Sequence, residues 1–354
     1  MRIWFDILTP KQVMFFKPAI DCLKEQGHEI LCTSRQYREA VELARIKNLK
    51  LEIIGKHGGA ERYEKLRAST SRTFRLAYEI KKFEPSLAVS FSSPECSRVA
   101  FGLGIKHIGY NDSPHAAAVT RLTIPLLARL FCPWVIPVSA WKCSGICSNL
   151  ITRYKGLDPV AWLKRDRYSR PSKRISGSIL EKGRKNILIR LEELKAAYIA
   201  DSNLNSSLLM IDDLINNLFQ SVNIIILCRY QDQFRQVEQR YRGQAKVLKN
   251  VVDGVSLISS TDIFIGAGGT MTTEAALLGK PTISISPFRF YVEKYLVQAG
   301  LARRSSNGRE LLALVRMILG SEVYAIRQKK IATRILGNME DPLQKLLSYV
   351  STCA

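Results

Sequence analysis

Short apolar runs alternate with segments of helical period along most of this chain, and that alternation limits it to few folds. Ile3–Leu8, His28–Thr33, Leu51–Ile54, Leu87–Phe91 and Lys106–Tyr110 read as strands. Between them, Val13, Phe16, Ile20 and Leu23 recur at helical spacing, and Gly27 stands where a C-cap would stop that helix. Tyr37–Lys47, Phe74–Phe83 and Val99–Leu103 read as further helices. Continuous apolar strands joined by helices call for a parallel sheet covered on both faces.

The rhythm restarts in the second half. Asn186–Arg190, Asn223–Cys228, Ala245–Leu248, Asp262–Ile265 and Thr282–Ile285 read as strands, and Leu208–Phe219, Phe234–Arg242, Val255–Ser259 and Thr272–Leu278 as helices. A length of 354 residues suits two domains at ~100–200 residues each. The expected fold class is α/β, with two Rossmann-like, doubly wound domains facing across a cleft. Their expected limits are 1–165 and 184–335. Tyr154–Gly183 is rich in Arg, Lys, Ser and Gly and lacks periodicity, so 166–183 is expected to be the crossover. The tail is mostly helical, and 336–354 is expected to return to the first domain.

Charge narrows the partners. Lys and Arg total 53 against 31 Asp and Glu, a formal net charge of +22. Such a field favours phosphates, nucleic acid or an anionic membrane face. The densest basic run is Arg62, Lys65, Arg67, Arg72, Arg75, Lys81 and Lys82, which suits either a solvated helix face or a docking surface. Nucleic acid is the less expected partner, because helix-turn-helix, zinc-finger and RRM signatures are absent and no aromatic residues are read as interleaved with a basic run. The eight cysteines are scattered, and Cys32, Cys132 and Cys228 sit in apolar runs, as buried reduced thiols of a cytoplasmic protein do. Cys143 and Cys147 have no second pair and no His at zinc-ligand spacing, so no metal is expected. The start, Met1–Asp6, reads as a strand rather than a signal peptide. No apolar run reaches the ~18 residues of a membrane span. Leu122–Val138 comes nearest, broken by Pro125, Arg129, Pro133 and Pro137, and is read as at most a peripheral membrane contact.

The stretch Asp262–Pro281 carries the chemistry. An apolar strand runs into Gly266, Gly268 and Gly269, and a helix begins near Thr270 and Met271. Glycines let a backbone turn sharply and approach a ligand, and a helix start offers unpaired N–H groups and a positive dipole end to phosphate. Thr270, Thr272 and Thr273 add hydroxyls, and Glu274 sits one turn in, where a carboxylate can accept from ribose hydroxyls. Glycines at a tight strand–helix junction can also be purely structural. The stretch is neither a P-loop nor a G-x-G-x-x-G fingerprint.

This motif resembles the donor site of GT-B glycosyltransferases, including the lipid-linked N-acetylglucosaminyltransferases of peptidoglycan synthesis, and that of UDP-N-acetylglucosamine 2-epimerases. The whole chain resembles the mainly archaeal domain-of-unknown-function 354 family through Ile3–Ile7, Gly27–Ile30, Gly55–Gly59, Tyr110–His115, Arg121–Pro125 and Asp253–Ser256. The resemblance implies that Gly268, Gly269 and Thr270 hold a donor diphosphate and Glu274 the ribose. It implies a phosphate or leaving-group contact at Arg190 and a nucleobase contact at Arg229. The nucleotide sugar is then a substrate, and no cofactor is implied.

In the first domain, ligands are expected beyond the carboxyl ends of the strands, at Asp6–Gln12, Thr33–Arg35, Gly55–Gly59, Ser92–Glu95 and Asn111–His115. His115 is the candidate base for an acceptor hydroxyl, and Asp112 orients it or acts itself. The same residues also suit a turn capping a helix. The epimerases carry an acidic residue after the strand that corresponds to Leu87–Phe91, where this chain has Ser92-Ser93, and a Glu-Ala-Gly stretch where it has Asn111-Asp112-Ser113. Relatives often carry a His in the first loop, here Thr9–Met14. His28 and His107 flank strands and read as structural, and His57 lies in a flexible loop. The expected function is a GT-B glycosyltransferase that uses a nucleoside-diphosphate sugar, most naturally UDP-linked, in cell-surface glycan or glycolipid synthesis. Its acceptor would be a glycan or lipid-linked molecule, and its setting the cytoplasm, with peripheral contact to an anionic membrane. The alternatives are a UDP-N-acetylglucosamine 2-epimerase-like enzyme, a basic nucleic-acid-binding protein and a catalytically silent protein.

Overall fold

A computed structural model describes residues 1–59, 61–165, 179–192, 206–228, 230–248 and 253–353. They form two compact units: Met1–Trp162 with the segment from Glu340 onward, and the residues between Leu163 and Met339. Of the crossover expected at 166–183, only 179–183 is described.

The first unit is a seven-stranded parallel sheet. Its strands are β1 (Arg2–Asp6), β2 (Glu29–Gln36), β3 (Glu52–Lys56), β4 (Leu87–Ser90), β5 (Lys106–Tyr110), β6 (Arg129–Pro133) and β7 (Ile151–Tyr154). Their order is β3-β2-β1-β4-β5-β6-β7, so the winding reverses between β1 and β4. The helices are α1 (Pro10–Glu25), α2 (Arg38–Ile46), α3 (Arg62–Phe83), α4 (Pro94–Gly102), α5 (Ala117–Thr123) and the single turn α6 (Val160–Leu163). Right-handed crossovers put α1 and α2 on one face of the sheet and α3, α4 and α5 on the other. Local chemistry sets the limits of α1. Pro10 opens it at a position that needs no N–H, and Gly27, at φ +81°, closes it with the His28 amide bonded to the Leu23 carbonyl at 3.0 Å. Under α1 lies an edge-to-face aromatic cluster, with Phe5 and Phe16 centroids 5.4 Å apart and Phe15 and Tyr110 centroids 4.8 Å apart. The opposite face packs Trp4, Ile54 and Ala88 against Leu76 and Ile80 of α3 and Cys96 of α4.

Two features of this unit correct the sequence reading. Strands β6 and β7 were not expected, and most of Leu122–Val138 packs inward: Ile124, Leu127, Leu130, Cys132 and Ile136 form one buried cluster with Trp141, while Leu122 stays exposed. A strand buried on both faces has no alternation, so its apolar run looks the same as a membrane-facing segment. On α3 the outward positions carry Tyr63, Leu66, Phe74 and Tyr78 among Arg67, Arg75, Lys81 and Lys82. The basic run is therefore interleaved with aromatics after all. At helical spacing the two kinds of residue share a face, which a linear scan does not register.

The second unit is a six-stranded parallel sheet of β8 (Asn186–Arg190), β9 (Asn223–Leu227), β10 (Lys246–Leu248), β11 (Ile263–Gly266), β12 (Thr282–Ser284) and the short β13 (Arg303–Arg304). Its order is β10-β9-β8-β11-β12-β13, with the reversal between β8 and β11. The described helices are α7 (Ser206–Leu218), α8 (Gln231–Arg240), α9 (Gly254–Ser259), α10 (Thr270–Leu277), α11 (Tyr291–Gln298), α12 (Gly308–Leu319) and α13 (Glu322–Asn338). Strand pleating divides the core: Ile187 and Ile189 face α7 and α12, while Leu188 joins Leu257 of α9 and Ala275 of α10 on the other side. The last helix, α14 (Leu343–Cys353), belongs to the first unit.

Candidate functional site

In an open parallel sheet, the crossovers leave on opposite faces where the winding reverses, which opens a crevice at the carboxyl ends of the two central strands. In the second unit these strands are β8 and β11, ending at Arg190 and Gly266, which are paired in register. The Ala267 amide bonds the Arg190 carbonyl at 3.0 Å, so the turn leaves directly from the sheet. Gly266 has no room for a side chain: a Cβ there would lie 2.4 Å from the Thr272 hydroxyl. Gly268 and Gly269 both take positive φ, +92° and +81°. They turn the chain so that α10 starts at Thr270 with no side-chain cap on its first amides. An uncapped helix start at a switch point is built to receive an anion.

The side chains of the motif divide by role. The Thr272 hydroxyl bonds back to the Gly268 carbonyl at 3.0 Å and that of Thr273 to Gly269 at 3.4 Å. Their protons are committed to the turn, so of the three expected hydroxyl donors Thr270 alone keeps its hydroxyl uncommitted among the described residues. Met271 points into the core, its methyl 3.7 Å from the position a Cβ on Gly254 would take. Glu274 is buried, with Oε2 3.8 Å from that same position at the first residue of α9. A carboxylate there lies at the positive end of that helix. Arg190 reaches sideways along the strand ends, its guanidinium donating to the Leu227 carbonyl at 3.1 Å. Arg229 lies outside the described residues.

Neighbours not anticipated from sequence complete the rim. The Ser286 hydroxyl is 3.3 Å from where a Cβ on Gly268 would sit, which places the loop after β12 against the glycine turn. Arg304 fixes that loop by donating to the Ser286 carbonyl at 2.7 Å and to Glu293 at 2.7 Å. Burial pushes the Glu293 carboxyl up from its ordinary value, against the pull of Ser284 and Arg304. The sequence signal for this rim was its position after a strand in the reversed half of the sheet.

In the first unit the reversal lies between β1 and β4. Ser92, at φ +54°, turns the chain sharply after β4, and its hydroxyl donates to the Tyr110 carbonyl at 2.9 Å. Beneath this crevice lies a buried polar network. Arg72 of α3 donates to both oxygens of Asp6, at 2.5 and 3.1 Å, and to the Ile54 carbonyl at 2.9 Å. Ser93 and Thr33 add hydrogen bonds to Asp6 at 2.6 and 2.7 Å, and Glu95 lies 3.7 Å from Arg72. Burial pushes the Asp6 carboxyl up, but the Arg72 charge and the four hydrogen bonds outweigh it and hold it below the usual carboxylate range. Asp6 and Glu95 are thereby tied inward.

A second cluster lies further along the strand ends. Lys11, in the first turn of α1, bridges Asp112 and Asp158 at 2.6 Å each and sits 4.0 Å from the centroid of the Phe91 ring. Tyr154 donates to Asp158 at 2.5 Å, and Ser113 to Asp112 at 2.9 Å. Burial pushes the Asp158 carboxyl up to about 6, helped by the Asp112 charge and opposed by Lys11. Burial pushes Asp112 up too, but there Lys11 prevails and the carboxyl falls below its ordinary value. His115 is half-buried next to this cluster, its pKa lowered by burial and partly restored by the Asp112 charge. Asp112 therefore faces Lys11 and Ser113 directly and His115 through its field. Lys11 and Asp158 were missed as partners because they stand far from Asp112 in sequence. The remaining histidines differ in setting. His107 is buried in the core, 2.9 Å from the Ser90 hydroxyl, and burial pushes its pKa down to about 4. His57 accepts from the Gly59 amide at 3.0 Å and stacks on Tyr37. Among the described residues, no group of His, Cys, Asp and Glu is arranged to hold a metal ion.

Known proteins match this architecture over their full length. The UDP-GlcNAc 2-epimerase of Neisseria meningitidis, solved bound to UDP-GlcNAc, superposes with a TM-score of 0.75 at 16% identity, covering 100% of both chains. Spinosyn rhamnosyltransferase superposes with a TM-score of 0.61 at 14% identity over 98% of this chain and 100% of its own. The fold is thus the α/β GT-B type, with two Rossmann-like domains. In sequence, an uncharacterized protein of Methanocaldococcus jannaschii is 29% identical over 346 residues, 92% of this chain and 94% of that one. Residues 1–353 match the model of the family described as protein of unknown function DUF354, and the chain belongs to that family.

Proposed function

We propose that the chain is a glycosyltransferase that takes its sugar from a nucleoside diphosphate, most naturally a UDP-sugar, bound in the second unit. The observation that carries this reading is the uncapped start of α10 at the β8–β11 reversal, where Gly268 and Gly269 bring backbone amides to the surface. The diphosphate would rest on the amides of Gly269, Thr270 and Met271, and Gly266 would allow the close turn beneath. Arg190 would approach the leaving phosphate and Glu274 the ribose. Arg229 is assigned to the nucleobase by resemblance alone. Fixed amides and cations stabilise a departing diphosphate without a metal or a cofactor. That a similar structure holds UDP-GlcNAc supports the choice of nucleotide.

On the acceptor side, His115 would take the proton from a hydroxyl of a glycan or lipid-linked acceptor, with Asp112 stabilising the imidazolium through its field. Transfer is preferred to epimerisation because Asp6 and Glu95, the carboxylates nearest the β1–β4 crevice, are held by the Arg72 network. An epimerase must remove and return a proton on a sugar carbon, which needs a second free acid–base group. One feature favours that second reading: burial pushes the Asp158 carboxyl up to about 6, beside Lys11 and Asp112.

Calorimetry with UDP, UDP-GlcNAc, GDP, dTDP and ADP, followed by product analysis of any binder without acceptor, tests both readings. Binding of one nucleotide that weakens at least ~10-fold in Glu274→Ala, about 1.4 kcal/mol, is expected. Product formed without acceptor would move the assignment to an epimerase. Binding of none would leave the glycine turn a purely structural junction and overturn the proposal.

A further inference from the structure

The first unit carries an unpartnered surface that the nucleotide site does not use. Its described exposed large hydrophobic residues are Ile46, Ile53, Tyr63, Leu66, Phe74, Tyr78, Phe101, Leu103 and Leu122. All but Ile46 and Ile53 lie on or directly after α3, α4 and α5, which cover one face of the sheet and pack side by side. Phe74 is 81% exposed and Tyr63 is 66% exposed, far beyond what a core-facing ring shows. The basic residues share this layer. Arg62, Arg67, Arg75, Lys81 and Lys82 are exposed on α3, Arg98 on α4 and Arg121 on α5. The two carboxylates of α3, Glu64 and Glu79, are only half-exposed and pair with Arg67 and Lys82. Arg75 and Lys81 thus stand beside Phe74 and Tyr78, and among the described residues neither is held in an ion pair. Over its 22 residues α3 is about 33 Å long at ~1.5 Å per residue.

We infer that this α3–α4–α5 face docks onto an anionic phospholipid bilayer. Aromatic and leucine side chains on a helix face flanked by Lys and Arg match a headgroup boundary, where the rings enter the acyl edge and the cations meet lipid phosphates. Charge disfavours a second copy of the chain as occupant, since a two-fold contact would set Arg75 and Lys81 against their own equivalents. Leu66, Leu103 and Leu122 suit an apolar boundary better than a nucleic-acid strand, which prefers stacking rings within a groove. The inference moves the membrane contact from the body of Leu122–Val138, where Ile124, Leu127, Leu130, Cys132 and Ile136 are core, to the neighbouring helical layer that includes Leu122, and it does not depend on the nucleotide reading.

The test is co-sedimentation of the full chain with vesicles of phosphatidylcholine alone and of phosphatidylcholine with about one-third phosphatidylglycerol. Binding is expected to be at least ~10-fold tighter to the anionic vesicles and to be lost in about 0.5 M salt. Each basic residue at such a surface contributes roughly a fivefold factor, so Arg75→Glu with Lys81→Glu should weaken binding by about 25-fold or more. Phe74→Ser with Tyr78→Ser should weaken it at least ~10-fold with every charge kept, because the apolar insertion is lost. Both pairs are exposed, and an unchanged thermal melt and circular dichroism spectrum would show that each variant folds. Equal partition to neutral vesicles, no partition at all, or indifference to both double variants would overturn the inference. So would tighter binding of a single-stranded oligonucleotide than of the anionic vesicles at the same salt.

Discussion

An ionisable side chain buried without a counter-charge ties stability to pH, and His107 does this. Burial holds its pKa at about 4 against 6.5, with a smaller opposite pull from Asp6. The fold therefore keeps the ring neutral, while the unfolded chain binds a proton below 6.5. That stability is complete above pH 6.5 and is lost as the pH falls toward 4, on the order of 2–3 kcal/mol by pH 4.5. Urea unfolding of the chain and of His107→Gln at pH 7.5 and 4.5 checks this, and the variant should lose less stability between the two. The Asp6–Arg72 pair makes a second residue-scale prediction. Arg72→Met should destabilise by about 3–5 kcal/mol, because it strands a buried carboxylate. Asp6→Leu with Arg72→Met should recover more than half of that loss in the same assay. Arg72 was legible in sequence only as one more member of a basic run. Its role depends on Asp6, which stands 66 residues earlier in the chain and which no local pattern connects to it.

At the scale of elements, legibility followed the physics of each run. Asn186–Arg190 was read with the limits the structure gives it, because a β-branched and leucine run bounded by charged residues has few other solutions. Strand β6 was lost inside an apolar stretch whose prolines suggested interruption, although Pro133 simply ends the strand. The glycine turn was legible as a strand–helix junction, but Thr272 and Thr273 were misread as donors because back-bonding to Gly268 and Gly269 is a property of the folded turn. The turn makes a graded prediction. Gly269→Ala has open space around the new Cβ, so its cost is the conformational strain at φ +81°, roughly 1–3 kcal/mol. Gly266 has no positive φ, and the cost of Gly266→Ala is steric: it must move Thr272 and Phe264, whose atoms would lie 2.4 and 2.6 Å from the new Cβ. It should therefore cost more than Gly269→Ala in thermal unfolding and should shift the start of α10 as well. Equal melting points for the two variants would show that the turn relaxes freely and is no rigid platform.

At the scale of the molecule, the path of the chain matters more than any single contact. The chain leaves the first unit after Trp162, builds the second, and returns at Glu340. The return is tightly specified. The Glu340 amide donates to the Lys155 carbonyl at 2.8 Å, the Glu340 carboxylate accepts from the Lys155 amide at 2.9 Å, and Tyr110 donates to the Pro342 carbonyl at 3.1 Å. A Cβ on Gly156 would lie 2.2 Å from the Glu340 carbonyl, so the returning backbone occupies the space that a side chain would need. Leu343, Leu346 and Val350 of α14 are buried, each worth about 1.5–3 kcal/mol of apolar burial. The first unit is therefore completed by the last residues of the chain and should not reach full stability without them. Truncation after Met339 should lower the melting transition of the first unit by at least ~10 °C, since about 1 kcal/mol is worth ~2–4 °C in a domain of this size. The second unit ends at Met339 and loses none of its own residues, so its transition should stay in place. Differential scanning calorimetry resolves the two cases. A common shift of both transitions would mean that the units unfold as one, whereas a selective loss in the first would assign α14 to its core, and Gly156→Ala should reproduce that loss in weaker form.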